Sequence, residues 1–203
     1  MNKWLVTVSI GLVFVASGAQ SAGDAEAGKG KSTACMACHG PDGNSLNAQW
    51  PKLAGQHPKY IEKQIRDFKS GARKDPLMTA QAALLADDQD IADLAAYFSS
   101  QKRTMGTAAA DKAESGASLY RAGNAETGVA ACMACHGPAG AGNPDANFPA
   151  LAGQHAIYTE KALKDFRSAA RTNDASQMMQ GVVARMTDAE IAAVAQYIQG
   201  LNK

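Results

Sequence analysis

Cys35-Met36-Ala37-Cys38-His39-Gly40-Pro41 recurs as Cys132-Met133-Ala134-Cys135-His136-Gly137-Pro138, at an offset of 97 positions. The repeat extends outward from this pair. Trp50-Pro51-Lys52-Leu53-Ala54-Gly55-Gln56-His57 returns as Phe148-Pro149-Ala150-Leu151-Ala152-Gly153-Gln154-His155 at an offset of 98. The stretch YIEKQIRDFKSGAR (60–73) returns as YTEKALKDFRSAAR (158–171) at 98, and DIADLAAY (90–97) as EIAAVAQY (190–197) at 100. The slowly growing offset indicates small loop insertions in the second copy. Two copies predict two similar domains, because a solenoid usually needs three or more units. The expected division is 22–104 and 105–203. The joint is expected near Gln101 to Glu114, where Gly, Ala, Thr and charges replace apolar periodicity.

Hydrophobic spacing makes both copies all-α. Ile91, Leu94, Ala95 and Phe98 follow the i, i+3, i+4, i+7 stripe of a buried helix face, as do Ile191, Val194, Ala195 and Ile198. Thr187 and Glu190 have the spacing of a capping box, and Asp87 or Asp88 is the cap expected in the first copy. A middle helix carries Ile61, Ile65 and Phe68, matched by Leu163 and Phe166. A further helix is expected to lead into each Cys pair, from about Asp24 and about Asn124. No run alternates as a strand would.

The 203 residues carry 20 Lys+Arg against 19 Asp+Glu. Without a basic excess to replace phosphate counterions, nucleic acid is excluded as the main partner. Residues 1–21 read as a signal peptide: Lys3, an apolar run from Trp4 to Ala16, then small residues ending at Ala19 and Ser21. The run is too short for a membrane span, which needs about 20 residues. Export to an oxidising compartment follows. Only 6% of residues are aromatic, so domains this small need a staple beyond their own cores.

The four Cys supply it. All sit in C-x-x-C-H pentapeptides, the pattern of covalent c-type haem attachment. Two thiols three positions apart on a helical turn can bond the two vinyl groups of one porphyrin, and the following His can ligate the iron. Cys35, Cys38 and His39 would hold one haem; Cys132, Cys135 and His136 would hold the other. A disulfide framework explains the Cys but not a His after each pair. Zinc would need further ligands at finger-like spacing, and a thioredoxin-type pair would want a βαβ context.

The sixth ligand is read from recurrence. Met78 lies in an expected loop, Asp75-Pro76-Leu77-Met78-Thr79, before the last helix of its copy. Met178 and Met179 occupy the same place in the second. The offset of 100 favours Met178. Removing the extra residue in Ala86-Asp87-Asp88, relative to Met186-Thr187-Asp188, favours Met179, which is preferred; Met186 is assigned to the core. His57 and His155 also repeat. They are either distal ligands of bis-His haems or polar residues at the start of the middle helix, and the second reading is preferred because each copy already has a Met. Pro51 and Pro149 are placed to offer a carbonyl to the Nδ1–H of the haem His, or are ordinary turn prolines. Lys52, Lys59, Lys63, Lys69, Arg73 and Lys74 read as a solvated basic face, with steering of a redox partner as a further role.

The doubled C-M-A-C-H-G-P, the doubled P-x-L-A-G-Q-H, the start Ala22-Gly23-Asp24-Ala25 and the ending Ala195-Gln196-Tyr197-Ile198-Gln199-Gly200-Leu201 together resemble the dihaem cytochrome c4 family over the whole mature chain. The resemblance implies two tandem class I cytochrome c domains about a pseudo-two-fold axis, with haem propionates near their interface. It implies two covalently bound haem c groups, with His39 and Met78 on one iron and His136 and Met179 on the other. It further implies a monomeric periplasmic electron carrier, not an enzyme, that takes electrons from the cytochrome bc1 complex to a terminal oxidase of the cbb3 type; peripheral association with the inner membrane is compatible with that role. The alternatives are a dihaem peroxidase and a cytochrome subunit of a periplasmic dehydrogenase.

Overall fold

The computed structural model describes residues 22–202; the signal peptide expected at 1–21 lies outside the described residues. The first copy holds α1 (Ala25–Lys31), α2 (Thr33–His39), α3 (Pro58–Ser70), α4 (Pro76–Ala83) and α5 (Asp88–Ser100). After the irregular segment 102–109 the second holds α6 (Ala110–Ala122), α7 (Met133–His136), α8 (Ala156–Arg167), α9 (Met178–Val183) and α10 (Asp188–Gly200). Among the described residues the only strand-like pairings are two isolated antiparallel bridges, Asn124–Val129 and Asn143–Phe148. The all-α expectation holds.

Each copy closes by crossing its first and last helices at a glycine. A Cβ on Gly28 would lie 1.9 Å from Asp93 O, and one on Gly116 would lie 2.2 Å from Ala193 O. Only a residue without a side chain lets α1 approach α5, or α6 approach α10, that closely. Behind these crossings lie two separate cores. One gathers Ile61, Leu94, Ala95, Tyr97 and Phe98; the other is built around Tyr120, Phe166, Val183, Ile191, Val194 and Ile198. The apolar stripes on α5 and α10 therefore face inward as their spacing requires. Asp87 caps α5, and Thr187 with Glu190 forms the expected capping box on α10.

Three local expectations are corrected. Met78 lies in the first turn of helix α4, not in a loop. Asp75 Oδ1 accepts from the backbone N–H of Leu77 (3.1 Å) and Met78 (3.0 Å), and Pro76 occupies the first helical turn, so the Asp-Pro pair starts a helix. No helix begins at Asn124. Its Oδ1 accepts from Glu126 N and Thr127 N within a bridged turn, and the helix before the second Cys pair is α6, stopped at Gly123 with φ 71°. The joint is shorter than expected, because Ala110 to Glu114 already belong to α6.

The extra residue in the first copy is located by matching contacts. Lys69 Nζ donates to Leu85 O and Arg167 Nη1 donates to Met186 O, each at 2.6 Å. Leu85 and Met186 are therefore equivalent, at an offset of 101. The caps Asp87 and Thr187 are equivalent at 100. Ala86 is the insertion.

The two copies meet through reciprocal bonds. Gln56 Oε1 accepts from Ala150 N (2.8 Å) and its Nε2 donates to Ala150 O (2.9 Å). Gln154 makes the same pair with Lys52 N (2.8 Å) and Lys52 O (2.9 Å). Since 52 matches 150 and 56 matches 154, each side presents the same patch to the other, which is the signature of a two-fold relation. Further out, Arg73 Nη2 donates to the Tyr158 hydroxyl at 3.1 Å, and Arg171 Nη2 donates to the Tyr60 hydroxyl at 3.0 Å.

Candidate haem-binding sites

The Cys pairs are mounted at the ends of α2 and α7, where three positions of separation set the two thiols about one turn apart. Cys35 and Cys132 pack against the cores of their own domains. All four Cys are free thiols. Burial pushes the Cys35 thiol up and the Cys132 thiol to about 11. Both therefore stay protonated at neutral pH and lack the thiolate character of a redox pair.

His39 and His136 close α2 and α7 and are nearly fully buried, 5% and 6% exposed. The His39 Nδ1–H donates to Pro51 O at 2.8 Å, and the His136 Nδ1–H donates to Pro149 O at 3.0 Å. A carbonyl can only accept, so each Nδ1 carries the proton and each Nε2 presents a lone pair. Burial pushes both imidazoles below their ordinary value, with the carbonyls acting in the opposite sense. Each ring is neutral at pH 7, oriented, and ready to ligate a metal through Nε2. The two prolines are thus carbonyl presenters, the first of the readings their position allowed.

The methionines sit on the short helices that pack on the middle ones, α4 on α3 and α9 on α8. Met78 is half-buried. Met179 is half-buried against the second core, whereas Met178 is 41% exposed and Met186 is in the core itself.

His57 and His155 stand at the N-caps of α3 and α8. Each reaches across to the other domain. His57 Nε2 bonds Ala141 O at 2.8 Å, and His155 Nε2 bonds Ser45 O at 2.8 Å. They are interface clamps, a role the repeat alone could not disclose because the partner lies in the opposite copy. The basic stretch is also reassigned. Lys52 is buried with Nζ on Thr104 O at 2.6 Å, Lys63 Nζ donates to Asn173 O at 2.8 Å, and Arg73 reaches Tyr158. Lys59, Lys69 and Lys74 remain exposed as a solvated face, while Lys52, Lys63 and Arg73 make contacts across the molecule. The residues missed by sequence reasoning are Gln56, Gln154 and Arg103. The doubled G-Q-H was the available signal for the first two.

These residues fit a c-type haem in each domain. Two free thiols, a buried neutral imidazole with Nδ1 anchored, and a thioether on a neighbouring helix are the donor set such a group takes. The guanidinium Nη2 of Arg103, buried without a hydrogen-bond partner, also fits an anionic periphery on whatever is held there.

Comparison with known proteins agrees. The cytochrome c family model matches residues 25–102 and again 113–202. Cytochrome c4 of Thiocapsa roseopersicina is 54% identical over 91% of this chain and 96% of its own length. The crystal structure of reduced recombinant cytochrome c4 from Pseudomonas stutzeri superposes with a TM-score of 0.86 at 49% identity, covering 89% of this chain and all of the other. A protein named thiosulfate dehydrogenase electron acceptor, from Thiomonas intermedia (strain K12), is 37% identical over 98% of this chain and 90% of its own.

Proposed function

The chain belongs to the cytochrome c4 family of electron carriers with two c-type haems, and from that premise we propose that it works in the periplasm, passing electrons from the bc1 complex to a terminal oxidase of the cbb3 type. When bound, each haem supplies a one-electron Fe(III)/Fe(II) couple. The protein's part is to hold, orient and shield that couple. Cys35 and Cys38 Sγ would tether one haem through thioethers, and Cys132 and Cys135 the other. His39 Nε2 and His136 Nε2 would be the proximal ligands, kept in the coordinating tautomer by Pro51 O and Pro149 O.

Met78 and Met179 Sδ would be the distal ligands. Support for Met179 over its neighbour comes from register. Ala82 and Val183 are the buried residues of α4 and α9, an offset of 101 that pairs Met78 with Met179. With Ala86 recognised as the insertion, the offset of 100 seen at α5 and α10 does not apply to the methionine helices. With a His and a Met on each haem, protein side chains would fill the iron's ligand positions, and the haem would supply outer-sphere electron transfer. Thioether ligation raises the potential, as suits a carrier.

The observation that carries this reading is the pair of buried histidines, each anchored through Nδ1 at the end of a C-x-x-C helix. A spectroelectrochemical titration of the mature protein, with haem content measured by mass, tests it. Two haems, each with the far-red band of ferric iron bound to Met sulfur, are expected. One such band per two haems together with peroxide turnover would overturn the carrier in favour of a peroxidase. The Thiomonas relative favours a second source of electrons, a periplasmic dehydrogenase for inorganic sulfur compounds. Reduction rates with bc1 complex and with such a dehydrogenase separate the two donors.

A further inference from the structure

Arg103 lies in the linker between the domains and is 8% exposed. Its Nε donates to Ala54 O in the first domain at 2.7 Å, and its Nη1 donates to Ala150 O (3.2 Å) and Ala152 O (3.1 Å) in the second. Its Nη2 is buried with no partner at all. Beside it, Lys52 is 6% exposed, with Nζ on Thr104 O. The two cations feel one another: burial first, and then the charge of Arg103, push Lys52 down, while burial pushes Arg103 down to about 10. Arg103 remains protonated at pH 7. No carboxylate among the described residues compensates either.

A pair of buried cations without an anion is strongly unfavourable, and carbonyl dipoles compensate only part of it. A counter-charge must come from something the chain holds. The location says what. Pro51 O anchors His39, and Lys52 is the next residue. Pro149 O anchors His136, and Ala150, the next residue, accepts from Arg103. The loops that orient both proximal histidines thus run straight into the two cations. The ionised groups on a haem are its two propionate carboxylates. Guanidinium is the side chain best matched to a carboxylate, because its N–H groups form a planar fork.

We propose that Arg103 Nη2, with Lys52 beside it, binds a haem propionate at the domain interface and holds up the reduction potential of that haem. This rests on the reading above that each domain carries a haem. Removing a buried positive charge near a haem favours the ferric form, whose iron carries one more positive charge, and so lowers the potential. The device is one-sided, since Ala150 stands in the second domain where Lys52 stands in the first. It therefore makes the electrostatic surroundings of two otherwise repeated sites unequal.

The test uses the full haem-loaded chain as wild type, R103Q, R103K and K52Q, with Q56A as an uncharged interface control. Haem content is measured by mass, and potentials by spectroelectrochemical titration. R103Q is expected to retain two haems and to raise the ferric-to-ferrous ratio of at least one about tenfold at fixed electrode potential, about 59 mV for one electron. R103K is expected to restore most of the shift, K52Q to move the same way by less, and Q56A to leave both potentials in place. Unchanged potentials in R103Q, or equal shifts in R103Q and Q56A, overturn the proposal. If R103Q does not fold, K52Q and a crystal structure of the wild type decide. An Nη2 within about 4 Å of a propionate oxygen supports the pairing, and a longer separation overturns it. A wild-type protein without haem would instead overturn the functional reading itself.

Discussion

At the residue scale the axial positions give the sharpest expectation. Met78→Ala and Met179→Ala should each abolish the Met–iron band of one haem, leaving about half the absorbance, and each should lower the potential of that haem. Met178→Leu should do neither. Loss of the band from Met178→Leu, with Met179→Ala silent, would reverse the assignment; a far-red spectrum of each ferric variant decides. What could be read from the sequence at this scale was what is local. The C-x-x-C-H pentapeptide places thiols and imidazole on one turn, and Pro51 and Pro149 stand at nearly fixed distances from their histidines, so their carbonyls were legible as acceptors. His57, Gln56 and Lys52 were not, because each finds its partner some 50 or more positions away, and no periodicity reports such a contact.

The helices show where composition misleads. Asp75-Pro76 has the composition of a loop, yet a carboxylate accepting two backbone N–H groups ahead of a proline is a helix start. Asn124 was read as a helix start, yet its side chain closes a turn. The helix crossings were invisible, since a glycine inside a helix ordinarily argues against one. Gly28→Ala and Gly116→Ala should each destabilise their own domain by roughly 3 kcal/mol or more, because the added methyl meets backbone that cannot move aside. Thermal unfolding followed in the two variants checks this.

The two crossings also differ in charge. Lys31 Nζ lies 2.6 Å from Asp93 Oδ2 and 2.7 Å from Asp90 Oδ1, and Asp93 Oδ1 accepts from Asp24 N at 2.8 Å, so α1 is tied to α5. The Asp24 N–H and then Lys31 hold Asp93 down to about 2. A carboxylate whose pKa is lower folded than unfolded lends stability above its unfolded value near 4, and withdraws it as pH falls toward 2. Ala193 replaces Asp93 in the second copy. The melting temperature should fall over that window, and Asp93→Asn should flatten the fall while lowering stability at pH 7. An unaltered pH profile in the variant would remove Asp93 as the cause.

For the whole molecule, the two-domain plan was legible because the repeat is written in the sequence. The contact between domains was not, since a repeat says nothing of how its copies face one another. Gln56 and Gln154 satisfy both backbone groups of Ala150 and Lys52 inside a buried surface. Q56A/Q154A strands Ala150 N, Lys52 N and Lys52 O at about 1–3 kcal/mol each, while Ala150 O keeps its bond from Arg103. Two resolved unfolding transitions should replace concerted melting, as calorimetry would register; a single unshifted transition would show that the glutamines do not couple the halves.

Each half of the reciprocal glutamine contact carries both the amide that grips and the peptide that is gripped. The handshake is therefore self-complementary: a single half bearing this G-Q-H holds everything needed to greet its own twin. Fusing two such halves raises their mutual effective concentration without requiring a new bond. Joined in one chain, the halves need not be identical, and a single lysine present on one side and absent on the other is enough to tell left from right.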